Sequence, residues 1–286
     1  VIQTLCIGPA GETGNAFAQV VLNYWASGDR FGLGKCFGQK NLKGVALRGM
    51  GLLEAADPEG FVDRSLELFE GLKQAAQGKS HGIPGICTAM GEDIADWLQP
   101  LVHRHTACYN TPLATSTFVY LDEDPQKREE PATAEPGFLI TDPGALLQMK
   151  SLGLDAESAC RALKSCAKYG IDAHAAAKIS ADQGKTSKEE IENNLSSLSG
   201  DLEIPGSGAF SPWCPVQPLA DFGAVEDNQE WWESRQAMCL IFGIHPIYAM
   251  MSPELSAKSM LELANIGTDM ELEQETLDGA ISYIRS

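Results

Sequence analysis

The chain has little positive charge, no paired cysteines and no long apolar run, and each shortage removes a class of function. With 21 Lys and Arg against 39 Asp and Glu, its field repels nucleic acid and anionic membrane surfaces, so neither is expected as a partner. No stretch approaches the length of a membrane span. The eight cysteines (6, 36, 87, 108, 160, 166, 214 and 239) form no C-x-x-C pair, which excludes a zinc ribbon and a thioredoxin motif. Nothing reads as a secretory signal, and a chain of 286 residues can bury a core without disulfide staples, so a reducing, cytoplasmic setting is expected. Histidines 81, 103, 105, 174 and 245 show neither H-x-x-x-H nor H-E-x-x-H spacing, and no Ser/His/Asp order suggests a nucleophile. His103 and His105 flank Arg104 close to Cys108, a placement suited to a metal or proton role but equally to a polar helix end.

What is present divides in two. Residues 1–8 and 43–49 are short, partly β-branched and bounded by glycine, and read as strands. Residues 16–24 fit strand or helix. Residues 1–55 thus read as an α/β remnant, and because the chain opens on Val1 inside a strand, a fragment or a missing preceding domain is expected. From 56 to 286 the pattern is mainly helical. Asp57-Pro58-Glu59 caps a helix over 58–77, and a helix interrupted by Pro100 is expected near 88–104. Others are expected at 143–152, 155–169, 172–182, 187–198, 227–243, 252–265 and 271–284. The segment 121–137, LDEDPQKREEPATAEPG, is charged and proline-rich and reads as a surface loop or disordered linker. A second proline-rich gap covers 204–222.

The chemistry-bearing stretch runs from Ile7 to Gly49. It holds IGPAGE and then RFGLGKCFGQKNLKGVALRG. Gly32, Gly34 and Gly38 free the backbone to approach a ligand or take positive φ, and Arg30, Lys40, Asn41 and Lys43 add donors matched to anions. A P-loop is excluded because Gly38 is followed by Gln39 and Lys40, and the dinucleotide fingerprint fails at Phe37. Two readings stand: a cradle for phosphate or pterin oxygens, and a tight turn kept for folding.

IGPAGE followed by R-x-G-x-G-x-x-x-G-x-K-N-L-K resembles the aldehyde:ferredoxin oxidoreductase family of tungsten-pterin enzymes, specifically over residues 1–55. The resemblance implies the end of a pterin-binding α/β domain leading into helical domains. It also implies a tungstopterin or molybdopterin, a [4Fe–4S] cluster, and ferredoxin or an electron-transfer subunit as partner. Carried over by motif, the cofactor-binding positions are Arg30, Gly32, Gly34, Gly38, Lys40, Asn41 and Lys43, with Gly153, Leu154 and Asp155 from KSLGLD. That segment matches the family's D-x-x-G-L-D except that Lys150 replaces the leading Asp, and a lysine offers only donors where a pterin needs acceptors. The second such motif reads SRQAMC, with Ala237 and Met238 in place of Gly-Leu.

For the cluster, the family's C-x-x-C-x-x-x-C appears as CYNTPLAT. Cys108 is kept, while Thr111 and Thr115 stand at the other two places; the remote ligand is Cys239. Cys108 and Cys239 are therefore the implied metal ligands, and a neutral alcohol is no replacement for thiolate on iron. Buried apolar packing is the other reading for both. Two functions follow. One is an oxidoreductase subunit or fragment interconverting aldehyde and carboxylate at a tungsten-pterin, with electrons leaving through the cluster. The other is a non-catalytic paralogue or structural subunit without cofactors.

Overall fold

A computed structural model describes residues 2–23, 26–27, 32–51, 54–75, 77, 81–107, 113–121, 137–198, 214–216, 222–223, 225 and 227–286. Its N-terminal unit is a four-stranded antiparallel sheet in the order β3-β2-β1-β4, built from β1 (Gln3–Ile7), β2 (Val20–Leu22), β3 (Ala26–Ser27) and β4 (Gly44–Leu47). Two helices, α1 (Pro9–Glu12) and α2 (Leu33–Gln39), accompany it. The stretch left open between strand and helix at 16–24 thus supplies a strand at Val20–Leu22.

The body opens with α3 (Pro58–Ala75). Where one helix near 88–104 was expected, the structure has α4 (Gly82–Ala89), a single turn α5 (Ala95–Leu98), and then β5 (Val102–Ala107). The reason is local. Pro100 lacks an amide donor and sits in a 3-10 turn over Gln99–Leu101 that redirects the chain. β5 pairs antiparallel with β6 (Ala114–Tyr120), which pairs with β7 (Gly137–Ile140). This sheet lies inside the region expected to be helical. In β6, Thr115, Thr117 and Val119 are buried on one face, and Ser116 is covered on the other. Of the expected loop at 121–137, residues 122–136 lie outside the described residues, Leu121 is buried, and Gly137 already belongs to β7. Most of the gap at 204–222 also lies outside them.

The helices that follow start where the caps say. They are α6 (Pro143–Ser151), α7 (Ala156–Tyr169), α8 (Ala173–Asp182) and α9 (Lys188–Asn194). Asp142, Asp155 and Asp172 each accept an N–H from three residues on, satisfying donors that the first turn leaves unpaired. Ser187 and Glu190 form a reciprocal capping box. Then come α10 (Asn228–Phe242), α11 (Pro246–Met251), α12 (Ala257–Thr268) and α13 (Gln274–Arg285). α12 begins later than Ser252 because Ser256 is its cap, accepting from Ser259 N at 3.1 Å. Ser252 instead closes a turn with Glu254 N.

One continuous core runs through the body, with Trp232, Leu146, Ile83, Leu98 and Met250 all fully buried. The N-terminal unit is joined to it by backbone. Gln19 N donates to Gly170 O at 2.8 Å, Asp172 N to Phe17 O at 2.9 Å, and the Asn15 amide to Leu198 O at 2.9 Å.

Candidate functional site

The glycine-rich stretch is a helix rather than an open loop, and its glycines are spent on close packing. Gly32 caps α2 with φ of 69°, in the left-handed region that glycine enters without strain. A Cβ at Gly34 would lie 2.6 Å from Gln19 O, and one at Gly38 would lie 1.9 Å from Gly11 O. Backbone atoms of the chain itself therefore fill the space that an open cradle would offer a ligand. Lys40 and Asn41 end the helix exposed, with Asn41 at φ of 53°, and Lys43 is ion-paired with Glu12. Arg30 lies outside the described residues.

Gly153, Leu154 and Asp155 form the corner between α6 and α7, away from that helix pair in sequence and in element. Gly153 takes φ of 83° with open space around its α-carbon. Leu154 is buried in the core. The Asp155 carboxylate accepts from Ser158 N at 2.7 Å, and this backbone hydrogen bond holds its pKa below the usual carboxylate range. Lys150, at the place of the family's aspartate, reaches Glu92 at 3.4 Å.

Cys239 lies on α10, 1% exposed. Burial pushes its thiol up to about 12, against a smaller opposing pull from Arg235 one turn earlier. Cys108 and Thr111 lie outside the described residues. Just beyond them, Leu113 O accepts from the Tyr248 hydroxyl at 2.8 Å, so the end of the CYNTPLAT segment is pinned to α11, the helix that follows the one bearing Cys239. Thr115 is fully buried on β6. Among the described residues, no group of three His, Cys, Asp or Glu side chains is arranged to hold a metal ion. A cubane needs four soft donors. A hydroxyl at Thr115 and one at Thr111 leave this set two short, so the residues present do not fit a [4Fe–4S] cluster. At Gly34 and Gly38 protein backbone fills the side on which a Cβ would stand, so close packing by itself accounts for glycine at these two positions.

Two features escaped the sequence reading. The first is a cavity of about 40 Å³ where the N-terminal unit meets the body, lined among others by Gln19, Asp142, Cys166 and Ile171. The Asp142 carboxylate there meets His174 Nε2 at 3.2 Å, and the imidazole is nearly buried. The volume suits water or a very small solute. Asp142 and His174 both sit in first turns or caps, which is the only trace they leave in the sequence. The second is Arg235, whose guanidinium donates to Ala249 O and Ser252 O and lies 4.9 Å from the Phe222 ring centroid. Desolvation lowers its pKa, and the carbonyl and aromatic contacts compensate a cation that has no carboxylate partner among the described residues. Arg235, within SRQAMC, ties α10 to α11. The pair flanking Arg104 is on a strand: His105 Nδ1 meets Thr117 Oγ1 at 2.9 Å, and His103 stacks near Tyr120.

Comparison with known proteins follows the same division. A family model described as aldehyde ferredoxin oxidoreductase, N-terminal domain, matches residues 1–49. Two proteins named tungsten-containing aldehyde ferredoxin oxidoreductase, from Pyrococcus abyssi and Pyrococcus horikoshii, are 32% and 31% identical over 122 residues. Each match covers 43% of this chain and 19% of the relative, so only about a fifth of those relatives' length is spanned. A solved structure titled active site complex BamBC of benzoyl coenzyme A reductase in complex with 1,5-dienoyl-CoA is similar over 99% of this chain and 64% of that one. Its TM-score is 0.64 at 13% identity, a likeness of fold.

Proposed function

We propose, from the premise that this chain belongs to the aldehyde ferredoxin oxidoreductase family, that it acts as a non-catalytic structural subunit of that lineage, assembling with other chains without a cluster or pterin of its own. The observation that carries this reading is at Gly34 and Gly38, whose α-carbons face Gln19 and Gly11 backbone at distances that exclude even a methyl group. The donor set around Cys239 supports it, since one buried thiol with hydroxyls in place of two of its three partners cannot ligate iron as four thiolates do. No redox step is assigned to residues of this chain.

A second reading has one observation in its favour. Residues 30–48 carry Arg30, Lys35, Lys40, Lys43 and Arg48 with no Asp or Glu, an anion-attracting surface on an otherwise acidic chain. It suits an oxidoreductase subunit that holds a tungsten- or molybdenum-pterin by its phosphate, acts on an aldehyde or carboxylate, and passes electrons to ferredoxin.

Anoxic purification followed by elemental analysis separates the two. The structural reading expects a folded, colourless protein with iron, tungsten and molybdenum far below one atom per chain. Iron near four atoms per chain, with tungsten or molybdenum and broad visible absorption, would establish the second reading instead.

A further inference from the structure

His105 stands on β5, exposed to solvent, with its Nδ1 2.9 Å from Thr117 Oγ1 on β6. Thr117 is fully buried, and the same oxygen accepts the Ile83 N–H of α4 at 2.9 Å. α4 needs that acceptor. His81 at its N-cap makes no side-chain capping bond, and a first-turn N–H buried without a partner is costly. Gly82 makes the room, because it takes φ of 66° and a Cβ there would collide with His105 Nδ1 and Thr117 Oγ1.

The hydrogens along these contacts have one consistent arrangement. Ile83 N can only donate, so it occupies a lone pair of Thr117 Oγ1. The hydroxyl hydrogen then needs an acceptor, which His105 Nδ1 supplies among the described residues. The imidazole is therefore neutral, with its hydrogen on Nε2. A further proton would go to Nδ1 and turn it into a donor. Thr117 Oγ1 would then face two donors, its own hydrogen left without an acceptor in a buried place, and the cation would stand at the positive end of α4.

Neighbouring groups act in the same direction. β5, β6 and α4 contain no Asp or Glu to balance a cation. Burial and, to a smaller degree, His81 at the start of α4 lower the His105 pKa from 6.5. Arg104 pairs with Phe118 on the opposite face of the sheet and lies over its ring. His103 and the Tyr120 phenol meet each other, and Cys87 of α4 is buried in the core.

We infer that His105, Thr117 and the Ile83 N–H form an acid-operated latch between β5 and α4, closed while the imidazole is neutral and released when it takes up a proton. Release frees the first turn of α4 and the strand that leads toward Cys108. With the folded pKa below the unfolded one, the latch contributes fully above about pH 6.5 and is lost as pH falls through the folded value. It involves neither metal nor pterin, so it stands or falls apart from both functional readings.

The test uses the full chain. Nitrogen-15 spectra of the His105 ring at neutral pH are expected to show the Nε2–H tautomer. Hydrogen exchange at the Ile83 amide, corrected for its intrinsic rate, is expected to lose protection by about tenfold for each pH unit below the His105 midpoint. His105→Asn places an acceptor near the position of Nδ1 without a titrating group and is expected to hold protection level over the same range. Thr117→Val is expected to lower protection at neutral pH already. Should that variant fail to fold by circular dichroism, the tautomer and His105→Asn decide the matter without it. An Nδ1–H tautomer at neutral pH, protection that stays level while His105 titrates, or the same acid loss in His105→Asn would overturn the proposal.

Discussion

The N-terminal sheet unit and the helical body are held together by different means. In the first, backbone lies against backbone: Gly8 faces Tyr169 O, Gly11 faces Gly34 O, and Gly38 faces Gly11 O, each too close for a Cβ. In the second, side chains fill the interior around Trp232, Leu146 and Met250, and caps such as Asp142 and Asp172 set where helices begin. The family model matches the first region alone. Positions where only glycine fits admit no alternative, whereas apolar interiors accept many residues of similar volume. A motif can therefore persist in the glycine-packed unit for folding reasons alone.

Changes at five positions would break or sharpen this contrast. The largest effect is expected from Trp232→Ala in the body, a loss of about 4 kcal/mol from a cavity at a fully buried ring, read by denaturant unfolding. Gly38→Ala in the N-terminal unit should cost about 3 kcal/mol, since the added methyl meets backbone that cannot rotate away. Gly153→Ala, where only the positive φ resists, should cost about 1 kcal/mol. If the two glycine variants melted alike, the claim that backbone packing explains the N-terminal glycines would fall.

Acid should act through the body. Burial pushes the His245 imidazole from 6.5 down to about 4, so the unfolded chain takes up a proton that the folded chain refuses. The contribution is complete above pH 6.5 and is lost as pH falls toward 4, by about 3 kcal/mol at most. His245→Asn keeps a capping acceptor for Ile247 N and should flatten that part of the profile relative to wild type. The smallest effect is expected at Asp155. There Asp155→Ala removes an N-cap worth about 1 kcal/mol, and Asp155→Asn should restore most of it in the same thermal melt.

Much of the body was legible because caps are local. Asp155, Asp172 and Ser187 each name the first turn of a helix within a few residues of themselves. The sheet of β5, β6 and β7 was not read, because in ATSTFVY three consecutive positions, Thr115 to Thr117, are buried and only the later part alternates, so the strand period is blurred, and GFLI joins it from beyond the charged, proline-rich stretch. The candidate site was legible only as residue types. That Gly34 meets Gln19 and Gly38 meets Gly11 depends on how α2 crosses α1 and β2, and no spacing within RFGLGKCFG reveals it. Likewise Asp142 and His174, 32 residues apart, look like two unrelated helix starts until the helices pack.

The central claim, that this chain lacks the donors for a cluster, is tested most directly by anoxic incubation with iron(II) and sulfide, desalting, and measurement of visible absorption and bound iron. The account predicts no retained cluster and no difference between wild type and Cys239→Ser. About four iron atoms per chain with the visible absorption of a cubane, lost in Cys239→Ser, would contradict it.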